Sequence, residues 1–423
     1  MGSLRILFIS PNFPPYAQAG AARTGALARH WVEQGHEVTV IGARIGAANG
    51  IHSGLDHEHL TAIMLPVEKL PAAEGAPAPS AAPDKPVSRP SRLRRWLWLS
   101  RQMPDRFHPH WTRRAVDTAR GLCLAKGFDL VYSSGPPHSA HIAAQKIAAE
   151  SGLPWVCEQR DLWADNPYID RQPVLTTLYN RLGRQVQRHA DAFVAVTETA
   201  AGELAAQTGK AVTLARNGWD GADFAGLEDV PAPLDPERLT IIHAGLIYAE
   251  RRDPRALFEA IAMLGEDRRR VRAVFYHDEY GFLDQRIAEY GVADCVEMRE
   301  FLPRREILKV ERQADVLLMC RWPDPAEDGV IPGKLFEYIG ARRPILATGL
   351  ESGEAAAIVR EGGFGLATQD AARIADQLRA WIAAKDAGGG RVPDLPAETA
   401  RGYTRDQAFA DIDAAIARTL DRI

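Results

Sequence analysis

The chain has 423 residues, of which 46% are hydrophobic and 25% charged, and its formal net charge is −4. This length suits two domains, each able to bury its own core. The slight acidity argues against a general nucleic-acid binder, which needs a basic face. Cys123, Cys157, Cys295 and Cys320 lack metal-ligand spacing and read as reduced thiols in a cytoplasmic protein. No apolar run reaches the roughly 18 residues that a membrane span requires, and the N-terminal run is too short for a signal sequence.

Residues 5–10 read as a buried parallel strand. A Pro/Gly loop follows, then a helix over 24–34 that buries Leu27, Trp31 and Val32, then a strand over 37–41. This is a βαβ unit opening a doubly wound sheet. Residues 71–90 hold six prolines and six alanines and predict a loop. Segment 89–114 carries eight arginines, the single acid Asp105, and Trp96, Trp98, Phe107 and Trp111. It fits either a solvated basic helix packed by its tryptophans or an interfacial segment against anionic head groups. Strands resume at 128–133, 154–158, 192–196 and 211–214. The acidic, proline-containing stretch 220–237 reads as a linker. A second α/β series places strands at 239–243, 272–276, 295–298, 314–319 and 344–347, and a last helix covers 405–420. The expected organisation is an N-terminal domain over 1–218, including a mobile loop and basic segment over 71–114, and a linker over 219–238. A C-terminal domain over 239–400 and a terminal helix over 401–423, able to cross back to the first domain, complete it.

Five loops carry candidate chemistry. Gly329, Val330, Ile331, Pro332 and Gly333 follow a strand and open a helix bearing Lys334 and Glu337. Glycines there admit a ligand to the backbone, and free helix amides suit a diphosphate. The same residues also read as a plain helix start. A second strand ends at Gly245 and is followed by Arg251 and Arg252, which can neutralise phosphate or stand as solvated charges in a turn. Gly20 and Gly25 lie in the loop expected between the first strand and helix, which could meet the donor's diphosphate across a cleft, with Gly20 as donor-binding, or serve as a plain connection; it lacks the middle glycine of a dinucleotide fingerprint. The last two loops hold Pro136-Pro137-His138-Ser139-Ala140-His141 and Glu158-Gln159-Arg160-Asp161-Leu162-Trp163. Both follow strands of the first series, so they share one rim.

Together these motifs resemble glycosyltransferase family 4, and more narrowly its bacterial polysaccharide and O-antigen branch. The carrying residues are Pro104-Asp105…Trp111, Pro136-Pro137-His138-Ser139-Ala140-His141, Arg160-Asp161-Leu162-Trp163 and Asn217-Gly218-Trp219-Asp220. The resemblance covers nearly the whole chain outside 71–90. It implies an α/β fold of GT-B architecture, two Rossmann-like domains facing each other across a cleft. It also implies retention of configuration, no metal, and a nucleotide-diphosphate sugar (UDP, GDP or TDP) as co-substrate. The implied acceptor is a glycan or lipid-linked hydroxyl, and the implied location is cytoplasmic, peripheral to the inner membrane face. Three departures stand out. Of the family's two glutamates eight positions apart, Glu337 is the second, while Gly329 occupies the first place; Glu327, Asp328 or backbone amides are the alternatives. Arg251-Arg252 replaces the usual lysine before a glycine, and Arg160-Asp161 stands where many members carry histidine.

On this reading Arg252 or Arg251, Lys334 and the Gly333 amide stabilise the leaving diphosphate. Glu337 holds the ribose, and the base rests near 299–303, against Pro303. His138, Glu158, Arg160 and Asp161 face the acceptor, with Asp161 orienting or deprotonating its hydroxyl. The one D-x-D, Asp411-Ile412-Asp413, falls in a predicted helix, where a metal loop is not expected. A nucleotide-sugar 2-epimerase of the same fold and a non-catalytic sugar-nucleotide binder are the competing functions.

Overall fold

The computed structural model describes residues 2–16, 19–44, 57–67, 103–164, 166, 173–227, 232–247, 251–276, 281–349 and 351–422. The predicted loop 71–90 and residues 89–102 of the basic segment, Trp96 and Trp98 included, lie outside them. The chain forms two compact units. The first comprises Met1–Val196, Ala200–Ala215 and Phe409–Ile423; the second comprises Thr197–Thr199 and Arg216–Ala408.

The first unit runs β1 (Arg5–Ile9), α1 (Ala19–Glu33), β2 (Glu37–Arg44), β3 (Leu60–Pro66), α2 (His110–Lys126), β4 (Leu130–Gly135), α3 (Ser139–Ser151), β5 (Trp155–Gln159), α4 (Pro173–Gln187), β6 (Ala192–Ala195), α5 (Glu198–Thr208) and β7 (Val212–Leu214). All strands pair in parallel, in the order β3-β2-β1-β4-β5-β6-β7. Ile6, Leu7, Phe8 and Ile9 are wholly buried, as a central parallel strand covered on both faces requires. β3 escapes sequence reading because it is a half-exposed edge strand that ends on a proline. α1 begins five residues earlier than its apolar pattern suggests, so Gly20 lies in its first turn rather than in a loop. Ala19, Ala21 and Ala22 favour that extension, and Thr24 Oγ1 donates to the Asn12 carbonyl at 2.7 Å, tying the helix to the strand exit.

The second unit itself runs α6 (Gly221–Phe224), β8 (Leu239–Ala244), α7 (Arg255–Met263), β9 (Val271–Tyr276), α8 (Gly281–Tyr290), β10 (Val296–Arg299), α9 (Arg304–Gln313), β11 (Val316–Cys320), α10 (Gly333–Gly340), β12 (Ile345–Thr348), α11 (Glu354–Glu361), β13 (Gly365–Ala367), α12 (Ala371–Ala387) and α13 (Ala397–Arg401). Its parallel sheet has the order β10-β9-β8-β11-β12-β13. α14 (Arg405–Leu420) closes the chain, and its residues from Phe409 onward belong to the first unit. Three-residue β13 carries too little pattern to be read from sequence. The stretch read as a linker is packed: Phe224 and Leu227 lie in the second unit's core. Asp315 Oδ2 accepts from Lys385 Nζ at 2.6 Å and from the Thr240 amide at 2.9 Å. This wholly buried pair ties the end of α12 to the start of β8.

All four cysteines are free, three of them buried. Among the described residues, no helix is long and apolar enough to cross a membrane.

Candidate functional site

In open parallel sheets, ligands bind beyond the carboxyl ends of the strands, where the strand order reverses direction. In the second unit that point lies between β8 and β11, the strands from which both donor-side motifs emerge. β8 ends at Ala244, and Gly245, which follows it, has a φ of +124°. A Cβ there would stand 2.6 Å from Lys334 Cε. The backbone conformation favours glycine here, and the missing Cβ leaves room for the lysine stem. Two motifs some ninety positions apart in sequence meet at this contact.

The loop before α10 is shaped from below. Arg321 is buried, and its Nη2 donates to the carbonyls of Glu327 at 2.8 Å and Val330 at 3.4 Å. Pro332 leads into α10 with no side-chain cap, so the first amides, that of Gly333 included, remain disposed toward an anion. Glu327 is buried, and desolvation pushes its carboxyl up to about 7. Asp328, the alternative replacement for a first glutamate, is exposed. Ile331 is buried in the second core, which anchors the loop. Arg251 lies exposed over the Trp322 ring, 4.6 Å from its centroid, while Arg252 is half-buried.

Glu337 Oε1 accepts from Arg304 Nη1 at 2.6 Å, and Arg304 Nη2 donates to Asp223 Oδ2 at 2.8 Å. Arg304 is the first residue of α9, directly after Pro303, and it sets the Glu337 carboxylate in place. Sequence reading passed over it, because one arginine at a helix start carries no signal of its own. Beside it Phe301 is 62% exposed, a large ring turned to solvent next to the expected base region. Arg304→Ala is expected to raise KM for a sugar donor about tenfold with a smaller change in kcat, since it loosens a ribose-holding group. Initial-rate kinetics read this directly, and an unchanged KM would remove Arg304 from the site.

In the first unit the strand order reverses between β1 and β4. Here burial divides the expected acceptor residues. Glu158 is fully buried and paired with Arg23 Nη2 at 2.8 Å, and the same nitrogen donates to the Ala215 carbonyl at 3.0 Å. It therefore offers no surface to an acceptor: β5 is an inner strand, and Arg23 of α1 takes its carboxylate. His138 is also buried, stacked on Trp163 with centroids 4.9 Å apart. Arg160 donates to the Pro136 carbonyl, and its guanidinium occupies the space that a side chain at Gly20 would need. Asp161 is the exposed member of this group. The structure thus brings Gly20, Arg160 and Pro136 together and leaves Asp161 facing outward. Arg23 was missed, although a glutamate buried at a strand end demands a cation.

Other motif residues have structural partners. Asp105 accepts from the Ser139 amide at 2.8 Å, capping α3, and Trp111 Nε1 donates to the Gly42 carbonyl at 3.0 Å. Trp219 Nε1 donates to the Ala400 carbonyl, and Asp220 pairs with Arg405 at 2.9 Å. Asp413 of the D-x-D accepts from Trp31 Nε1 at 2.9 Å and lies 2.7 Å from His30 Nε2.

His141 lies 2.9 Å from Ser133 Oγ, and its ring fills the space beside Gly135. Burial, reinforced by the Arg160 charge, lowers its pKa to about 3. The unfolded chain takes up this proton near pH 6.5, whereas the folded one does not until about 3. The stability this group contributes is therefore full above 6.5 and lost as pH falls through that window, at about 1.4 kcal/mol per pH unit. The urea midpoint should fall between pH 7 and 5, with a shallower fall in His141→Gln; equal slopes would contradict this role.

Comparison with known proteins agrees with this architecture. Residues 19–218 match the family described as Glycosyl transferase 4-like domain. No curated protein matches the chain. Among solved structures, HepE of Anabaena in complex with UDP is similar at 14% identity, covering 98% of this chain and 100% of that one, with a TM-score of 0.64. Sucrose-phosphate synthase of Thermosynechococcus elongatus is similar at 12% identity over the whole of both chains, with a TM-score of 0.62. A putative UDP-N-acetylglucosamine 2-epimerase of Listeria monocytogenes is similar at 15% identity, covering 100% of this chain and 98% of that one, with a TM-score of 0.56. Residues 19–218 thus carry a glycosyl transferase 4-like domain, and over its full length the chain has the GT-B fold.

Proposed function

We propose that the chain is a retaining, metal-independent glycosyltransferase. It would move a hexosyl or N-acetylhexosaminyl group from a nucleoside-diphosphate sugar to a hydroxyl of a glycan or lipid-linked acceptor in bacterial polysaccharide or glycoconjugate synthesis. The observation that carries this reading is the contact of Lys334 with Gly245 beside the uncapped start of α10. It gathers a cation and free amides at the reversal point of the second sheet.

Cleavage of the bond between the anomeric carbon and the diphosphate leaves charge on the departing oxygen. Lys334, Arg252 and the Gly333 amide stabilise that charge, and preorganised donors act most strongly where water is excluded. Glu337, held by Arg304, accepts hydrogen bonds from the ribose hydroxyls. A base stacks on Phe301, since any nucleobase offers a π face. Asp161 receives the acceptor proton. HepE is recorded with UDP and with UDP-glucose, which makes UDP the first nucleotide to try. From its composition, segment 89–114 meets anionic head groups at a membrane surface.

A thermal-shift screen against UDP, GDP and TDP and their sugars tests the reading. One nucleotide should raise the unfolding temperature in proportion to the logarithm of its concentration. Nucleotide release should then depend on an added acceptor. Conversion of the donor without acceptor would select the 2-epimerase, whose fold is the same, and binding without any turnover would select a non-catalytic binder.

A further inference from the structure

α9 places Arg304, Leu308 and Glu311 at i, i+4 and i+7, so all three share one face. At its head, Arg304 holds Glu337. Two turns below, Glu311 is fully buried, and neither carboxyl oxygen has a hydrogen-bond partner among the described residues. The charged groups bearing on it are Glu337 and Lys334 of α10 and Arg304 of its own helix, all members of the proposed donor site; the buried Tyr338 of α10 also senses it. A buried carboxyl without donors is disfavoured in its charged form. Arg304 is already engaged by Glu337 and Asp223, so an ionised Glu311 would draw on Lys334.

We propose that Glu311 is a positioning residue of the donor site: as a neutral acid beneath α10 it leaves the Lys334 ammonium to the diphosphate, and on ionising it withdraws that charge and weakens donor binding. The inference rests on the donor-site reading above. Burial first, then the Glu337 charge, raises the carboxyl well above its ordinary range, against the opposing pull of Lys334 and Arg304. Glu311 therefore holds its proton further up the pH scale than an exposed glutamate does, and loses it as pH rises. An anion bound at Lys334 favours the neutral form, so affinity must fall as pH rises. A charge in a partly dry pocket acts on a ligand phosphate strongly enough to change affinity about tenfold.

Calorimetric titration of UDP, GDP and TDP at pH 7 identifies the nucleotide, which is then titrated at pH 7, 8 and 9. Native affinity should fall about tenfold across this range, and Glu311→Gln, which cannot ionise, should give a flat profile. Lys334→Met should bind more weakly and also be flat, and it carries the test if Glu311→Gln does not fold. A flat native profile, or an undiminished loss in Glu311→Gln or Lys334→Met, overturns the inference and leaves the donor site standing. Failure of all three nucleotides to bind the native chain at pH 7 overturns the donor-site reading and this inference with it.

Discussion

Replacing Lys334 with alanine is expected to cut donor turnover by about 10²- to 10³-fold, the cost of removing one preorganised group that stabilises developing charge. The lysine stem lies where a Cβ at 245 would stand, 2.6 Å from its Cε, so the glycine leaves it room to cross the strand exit. The ammonium thus lies beside the amides that open α10, where the diphosphate's charge would develop. The loss should appear mainly in kcat, because the diphosphate bears more charge in the transition state than in the bound sugar nucleotide. Gly245→Ala should imitate it in part, since the added methyl displaces the lysine and strains the left-handed backbone. Nucleotide release from the preferred donor measures both variants. A Lys334→Ala rate within about threefold of native would show that the lysine makes no interaction special to the transition state.

The second large effect is on stability. Arg23→Met should destabilise the first unit by about 3–5 kcal/mol, because it leaves Glu158 as an uncompensated buried charge. Glu158 is wholly enclosed, and Arg23 is the cation bonded to it. Joint replacement, Arg23→Met with Glu158→Leu, should recover most of the loss, since removing both charges also removes the desolvation penalty. Urea unfolding of the single and double variants decides this. A single variant as stable as native, or a double variant no better than the single, would show that the pair does not carry that energy.

Legibility followed the strength of local patterning. The inner strands are continuous apolar runs, so β1, β4, β5, β8, β9, β11 and β12 could be read directly, whereas half-exposed β3 and three-residue β13 could not. The α1 start was misplaced because the helix is held by Thr24 against Asn12 and by the Arg23–Glu158 pair, contacts between residues distant in sequence. The donor-side glycines and Lys334 were legible as a loop-to-helix pattern, but their meeting with Gly245 depends on which strands lie side by side. Arg304 and Glu311 carry no motif; Glu311 matters through its burial, and Arg304 through the Glu337 carboxylate it holds. On the acceptor side, a charged run after a strand looks alike whether it points inward or outward. Only packing separates enclosed Glu158 and His138 from exposed Asp161.

A crystal structure with the preferred nucleoside diphosphate bound is the most direct measurement. Density for the diphosphate at the Gly333 amide and Lys334, with the ribose hydroxyls on Glu337 and the base against Phe301, is the expected result. A diphosphate bound elsewhere, with Lys334 still lying against Gly245 and Glu337 still on Arg304, would contradict the donor site.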